Sequence, residues 1–423
     1  MRRREVSEGR ASRRAAIPAS LLLAAAAAAV GCAQKLVVVE PSGDVGRDAA
    51  AGDRALDAAE ASDAEPRDVA PDDSGLPDAS VVEPQPDAGT APDATATPRE
   101  RAPLAWSVVG FTGSSVSAVG CAAPDAIVVG IQSGGLFRLD GQGGQTPLWR
   151  SPINATPVAI THWNDVGGLV SAVATTAELV LFDGLPEATT LRTRVTLNAE
   201  IRAMTALGVG EVLVLADRQR TIARDFAVLR FPVAAEPSQV RQVHSLPEVG
   251  TLEALAYVPN VPSPLLISGG GRIVEADLVA RSEGRLELPP TWTPADVAGF
   301  DLRALARVGD ERFAAGERGA VYRRASTGWV PLVAPVLRED DVWRAMVEVP
   351  GSREAGDPEG YLVGRASTPG RVPIARLYRG VVADAGGTQS WDLQDLCFVG
   401  PDLAYAVGNF RNELRGLVLR GTR

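Results

Sequence analysis

Arginine at two recurring positions is the feature of this chain most suited to chemistry. A six-residue phrase recurs seven times, beginning at Val116 (VSAVGC), Val158 (VAITHW), Ile201 (IRAMTA), Leu252 (LEALAY), Leu302 (LRALAR), Trp343 (WRAMVE) and Leu393 (LQDLCF). Residue two of the phrase is Arg202, Glu253, Arg303 and Arg344 in the third to sixth copies. Further along the third to seventh copies come Arg218, Arg220, Arg272, Arg318, Arg365 and Arg411, where the first two copies have Gln132 and Glu178. A guanidinium fork matches the geometry of carboxylate and phosphate groups. Arg202, Arg303, Arg344, Arg318, Arg365 and Arg411 are therefore candidate ligand-binding residues for an anionic partner. Such a partner is an acidic glycan, a lipid head group, an acidic protein segment or an acidic stretch of the chain itself. The competing reading is a solvated face on which each arginine is paired with a nearby carboxylate.

Other reactive constellations are sparse. The two histidines, His162 and His244, fall in different copies of the repeat, and no His-x-x-x-His or Cys-x-x-Cys spacing suggests a metal site. No Gly-x-Ser-x-Gly elbow is present, and Gly269-Gly270-Gly271 reads as a turn. We expect no metal, no cofactor and no catalytic residue. His162 reads as a satisfied histidine at a loop edge. Glu253 and Asp395 are the acids of the phrase that a glycan-processing hydrolase or lyase could use, if they faced each other across one site.

The elements that position these residues follow from the spacing. Successive phrases start 42, 43, 51, 50, 41 and 50 residues apart, a period typical of propellers and solenoids. The copy from Leu302 splits into short apolar runs, Leu302–Val308, Arg312–Gly316, Ala320–Ala325 and Trp329–Val333, separated by Gly, Asp and Ser. Such runs read as the strands of a meander. The last copy stops one strand short, with Leu393–Val399, Leu403–Gly408 and Gly416–Arg420. A matching segment, Leu104–Val109, precedes the first copy. The expected fold is all-β: a seven-bladed β-propeller closed by an N-terminal strand, which leaves no open sheet edge at the seam. In that fold the loop leading into each inner strand and the loop between strands two and three emerge on one face. Both arginine positions then ring one channel mouth. Residue three of the phrase is mostly small and residue four mostly large, as expected for a crowded inner strand and for packing between blades. Cys121 and Cys397 lie on inner strands of the first and last copies, which closure makes neighbours. They are either a disulfide across the seam or two reduced thiols.

Units such as Leu305-Ala306-Arg307-Val308-Gly309-Asp310 followed by Phe313-Ala314-Ala315-Gly316-Glu317-Arg318-Gly319 resemble the repeats of photosystem II assembly-factor-like propellers. They are similar too to sialidase-like and WD-type (YVTN, BNR) repeat propellers. The resemblance spans residues 101–423 and implies the fold, not an activity.

The N-terminus reads as an address. Six arginines between Arg2 and Arg14, an apolar run from Ile17 to Val30, and Ala29-Val30-Gly31-Cys32 describe a signal peptide over 1–31. The small residues before the cysteine resemble a bacterial lipobox, which implies lipid attachment to Cys32. An ordinary cleaved signal is the alternative. Residues 32–100 are rich in Asp, Ala and Pro and contain no aromatic residue, so they read as a disordered acidic tether. Of the chain's net charge of −10, residues 33–100 carry −11, residues 1–32 carry +4 and the propeller carries −3. Even as a plain coil the tether would reach on the order of 45 Å.

These readings describe a non-catalytic cell-envelope lipoprotein, membrane-bound through its lipid and expected at the outer membrane. Its propeller would be a binding or assembly scaffold for an envelope protein or anionic glycan. We expect a monomer and no nucleic-acid partner. The alternatives are a glycan-processing enzyme and a structural surface spacer.

Overall fold

The structure, a computed structural model, describes residues 37–39, 101–207, 211–219, 224–232, 241–247, 251–259, 265–276, 300–366, 368, 370–371, 373–386, 391–410, 413 and 415–423. Contacts divide the chain into Met1–Lys35 and Leu36–Arg423; only the second contains described residues. Cys32 and the bulk of the acidic segment fall outside them, as do Arg220 and Arg411. The side chains of Arg218 and His244 are likewise not described.

Strand β1 is Val37–Val39 and β2 is Ala105–Thr112. Blade one holds β3 (Val116–Ala123), β4 (Ala126–Ile131), β5 (Gly135–Leu139) and β6 (Gln145–Arg150). Blade two holds β7 (Pro157–Asp165), β8 (Gly168–Thr175), β9 (Glu178–Asp183) and β10 (Leu191–Leu197). In blade three are β11 (Glu200–Ala206), β12 (Glu211–Gln219), β13 (Arg224–Pro232) and β14 (Arg241–Pro247). Blade four shows β15 (Ala254–Tyr257), β16 (Leu265–Gly269) and β17 (Arg272–Ala276); the residues after it, 277–299, lie outside those described. Blade five is β18 (Leu302–Val308), β19 (Glu311–Gly316), β20 (Val321–Ala325) and β21 (Gly328–Pro331). Blade six is β22 (Val342–Glu348), β23 (Glu359–Arg365), β24 (Ile374–Tyr378) and β25 (Val381–Asp384). Blade seven is β26 (Trp391–Gly400), β27 (Leu403–Phe410) and β28 (Gly416–Thr422), and β2 completes it by pairing antiparallel with β28, Ala105 opposite Thr422. The described residues thus form a seven-bladed propeller closed by the N-terminal strand. Within the segment read as a tether, β1 runs parallel to β10, Val37 opposite Val195. It is the aliphatic stretch of an otherwise polar segment that pairs.

The core explains the near-continuous apolar strands. Seven clusters of buried side chains each lie between two neighbouring blades. Along β12, Val212, Val214 and Ala216 pack toward blade two, while Leu213 and Leu215 pack toward blade four. Side chains alternate across a strand, so a blade buried on both faces must be apolar at every position.

One local feature recurs on the inner strands. The pairing register slips between residues one and three of the phrase at Val116/Ala118, Ile201/Ala203, Leu302/Ala304, Trp343/Ala345 and Leu393/Asp395. A β-bulge therefore sits at residue two, and a bulge re-aims the extra side chain. In blade two the slip falls between Pro157 and Ala159. The phrase there starts at Pro157, one residue before the apolar Val158 that the repeat pattern suggests. With this correction the small residue three is Ala159 and the large residue four is Ile160.

Opposite residue one, the second strand carries a glycine in blades five to seven: Leu302 faces Gly316, Trp343 faces Gly364 and Leu393 faces Gly408. A Cβ at Gly364 would stand 2.0 Å from the Val342 carbonyl oxygen. Only glycine lets the two backbones approach so closely.

Candidate functional site

The bulged residues carry the first arginine ring. Arg202, Arg303 and Arg344 stand at the start of β11, β18 and β22, each half-buried and each engaged by carboxylates. Arg202 Nη2 lies 3.0 Å from Glu200 and 3.3 Å from Asp217. Arg303 reaches three acids, Glu317 at 3.0 Å, Asp301 at 3.3 Å and Glu253 at 3.4 Å. Arg344 pairs with Asp392 at 3.3 Å and donates to Gln394, the bulged residue of blade seven. Burial pulls the Arg344 guanidinium below the usual arginine range; Asp392 opposes that fall, and Arg303 and Arg365 add to it. Burial likewise raises the Glu253 carboxyl, against the pull of Arg303. This inner ring is a compensated network of alternating signs.

The second ring, on the hairpins between strands two and three, differs. Arg318 sits in the left-handed region at φ 55° with its guanidinium 5.3 Å from the Phe300 ring. Arg272 and Arg365 are exposed at the hairpins of blades four and six. Among the described residues these three have no carboxylate partner. Arg272, Arg318 and Arg365 thus occupy the hairpins of blades four to six, while the arginines of the inner ring are paired with acids. Glu178, assigned from sequence to the corresponding hairpin of blade two, is instead fully buried in β9. There it pairs with Arg194 and accepts from Ser151 Oγ at 2.6 Å. It ties blade one to blade two.

The acids that an enzyme could use are committed elsewhere. Asp395 accepts the Val119 amide at 2.9 Å and its neighbour Leu396 at 2.8 Å, which joins blade seven to blade one. Desolvation outweighs both amide bonds and raises its carboxyl to about 6. Glu253 belongs to the Arg303 network. The two are not brought to one site.

The same seam holds further links. Asn409 Oδ1 accepts the Val116 amide at 2.8 Å. Cys121 and Cys397 form a disulfide with Cα atoms 5.7 Å apart and 276 residues between them. Adjacent inner strands run close enough at this level for the bridge.

His162 donates through Nδ1 to Ser171 Oγ at 2.7 Å, because the Ser171 hydroxyl is itself spent on the Gly184 carbonyl. Its Nε2 is closed off against Gly120 and has no partner among the described residues. Burial holds its pKa down at about 4. The loop-edge histidine read from sequence is thus a half-satisfied, neutral wall residue. Among the described residues no group of His, Cys, Asp and Glu could hold a metal ion.

The ring, its closing strand and the central channel define the protein as a β-propeller. No family model and no curated protein matches the sequence. Solved structures do. Virginiamycin B lyase from Staphylococcus aureus matches with a TM-score of 0.54 and 10% identity over 76% of this chain and 99% of that one. The WD40 β-propeller domain of Doa1 matches with a TM-score of 0.54 and 9% identity over 75% and 97%. YCF48 bound to D1 peptide matches with a TM-score of 0.50 and 13% identity over 77% and 98%. At such identities the likeness is one of fold, and it includes a lyase alongside other propellers.

Proposed function

We propose that this protein is a non-catalytic binding or assembly scaffold of the cell envelope. It would be held to the outer membrane by lipid on Cys32 and by the acidic segment that precedes the ring. The observation that carries the reading is the commitment of the candidate catalytic acids: Asp395 to backbone amides of the seam, Glu253 to an arginine. What the ring presents at this mouth is the hairpin arc of Arg272, Arg318 and Arg365 on a rigid base. An anionic partner, an envelope protein segment or a glycan, would meet these three before the compensated inner ring. The test compares the intact lipoprotein with an Arg318→Glu/Arg365→Glu variant in recovery of partners from detergent-solubilised envelopes, and in binding of labelled polyglutamate at low and high salt. Loss of both in the variant, with salt-sensitive binding in the parent, is the expected result. Equal recovery and equal polyglutamate binding would retire the hairpin arc.

A further inference from the structure

The opposite mouth of the channel has different chemistry. Strands β11, β15, β18 and β22 enter at the arginine face, and their far ends enclose a cavity of about 630 Å³. Its floor is residue four of the phrase in four consecutive blades: Met204, Leu255, Leu305 and Met346. The sequence pattern assigns these positions to packing between blades. They do pack there, and they also turn apolar surface to the cavity.

The charged groups of the rim sort into satisfied and unsatisfied. Arg307 donates to the Gly309 carbonyl at 2.6 Å and the Pro259 carbonyl at 3.2 Å, and reaches Asp310 at 3.5 Å. Arg353 pairs with the same Asp310 at 2.7 Å. Both cations are thus held by one acid. Among the described residues Glu348 receives a single backbone amide, that of Gly309 at 2.7 Å, and no cation. Glu354 lines the cavity with no described partner. Burial raises the Glu348 carboxyl above its ordinary range; the Gly309 amide opposes this, and the charges of Glu354 and Asp310 reinforce it. Two arginines against three acids leave the described rim one net negative charge above an apolar floor, which is complementary to a single cation on an apolar stem.

We propose that this cavity binds a cation carried on an apolar stem, an alkylammonium of the kind offered by a lysine side chain or a free amphiphilic amine. The stem would lie against Met204, Leu255, Leu305 and Met346, with the ammonium between Glu348 and Glu354. Titration calorimetry on the full chain with n-octylammonium and, as the matched anion, octanoate tests it. The expected result is binding of octylammonium about tenfold or more tighter than octanoate. Glu354→Gln, an exposed change that leaves the fold alone, should weaken octylammonium about threefold, and Glu348→Gln, which keeps the Gly309 hydrogen bond, about tenfold. Competition by acetyl-Leu-Lys-Leu-amide would identify a protein side chain as the natural source; no competition would point to a free amine. Equal binding of octylammonium and octanoate, no heat from either, or glutamine variants that bind octylammonium as the parent does would each overturn the assignment.

Discussion

Asp395 and His162 should pull the pH dependence of stability in opposite directions, and single substitutions should separate them. His162 titrates near 6.5 in an unfolded chain and near 4 here, because burial disfavours its charged form. Between those values the unfolded state binds more protons, so stability rises with pH and is lost as pH falls toward 4. Asp395 is the reverse. Its carboxyl titrates near 3.8 when unfolded and near 6 when folded, so its contribution is full below 3.8 and is lost as pH rises through 6. Each displacement corresponds at most to about 3 kcal/mol. Both side chains keep some contact with solvent, and screening brings each to about 2 kcal/mol. In the parent the two slopes nearly cancel between pH 4 and 6.5. Asp395→Asn removes one of them, and its stability should then fall relative to the parent by about 1 kcal/mol less at pH 7 than at pH 4.5. His162→Gln should show the opposite trend. Urea midpoints for the three proteins at half-unit pH intervals provide the assay, and the other titrating groups cancel in the differences. An Asp395→Asn curve parallel to the parent's across this range would refute the reasoning.

Removing the seam disulfide tests closure. The Cys121→Ser/Cys397→Ser variant should lose about 3–5 kcal/mol in denaturant unfolding, and reduction of the parent should give the same midpoint; an unchanged midpoint would mean that β2 and the seam hydrogen bonds close the ring alone. Gly364→Ala should lose about 1–3 kcal/mol, since its Cβ would meet the Val342 carbonyl at 2.0 Å. Gly113→Ala, where a Cβ meets nothing within 4 Å, is the control, and equal melting temperatures for the two would count against the close approach.

The blade count and the closing strand were legible because each blade must bury both faces: strands then read as short apolar runs with turn residues between them, and the missing seventh outer strand has an obvious counterpart in Trp106-Ser107-Val108. Strand ends were less so. The inner strand of blade seven starts at Trp391, two residues before the phrase, because pairing continues past the apolar stretch. Register was illegible in blade two, where Pro157 occupies residue one and the following Val158 fits the apolar pattern equally well. The residue-two arginines recur visibly in the sequence, but their neutralisation depends on acids at other places in the repeat. A signal for it was present: Glu200 precedes Arg202 by two residues and Asp301 precedes Arg303 by two, the spacing that puts side chains on one side of a strand. The far-mouth cavity left no trace, since a large apolar residue four looks the same whether it faces a blade or a void.

The seam shows how a ring of weakly related blades stays closed. Seven inter-blade clusters are chemically alike, yet among the described residues only one of them joins blade one to blade seven. At that interface the chain adds links that apolar packing alone does not supply elsewhere: a strand exchanged across the termini, a disulfide, and two side chains that cap amides of blade one. The ends are then fastened to blade six. Buried Glu359 accepts from Arg376 at 2.8 Å and from the C-terminal Arg423. Arg376 in turn holds the Arg101 carbonyl at 2.7 Å, Arg423 holds that of Ala102 at 2.7 Å, and Tyr361 takes the Leu104 amide at 2.8 Å. A pull on the segment before Arg101 therefore loads this clamp before it loads the β2–β28 ladder. Glu359 is worth keeping buried for that reason: without its charge two guanidinium groups would lose their shared partner at the point where the chain leaves the ring.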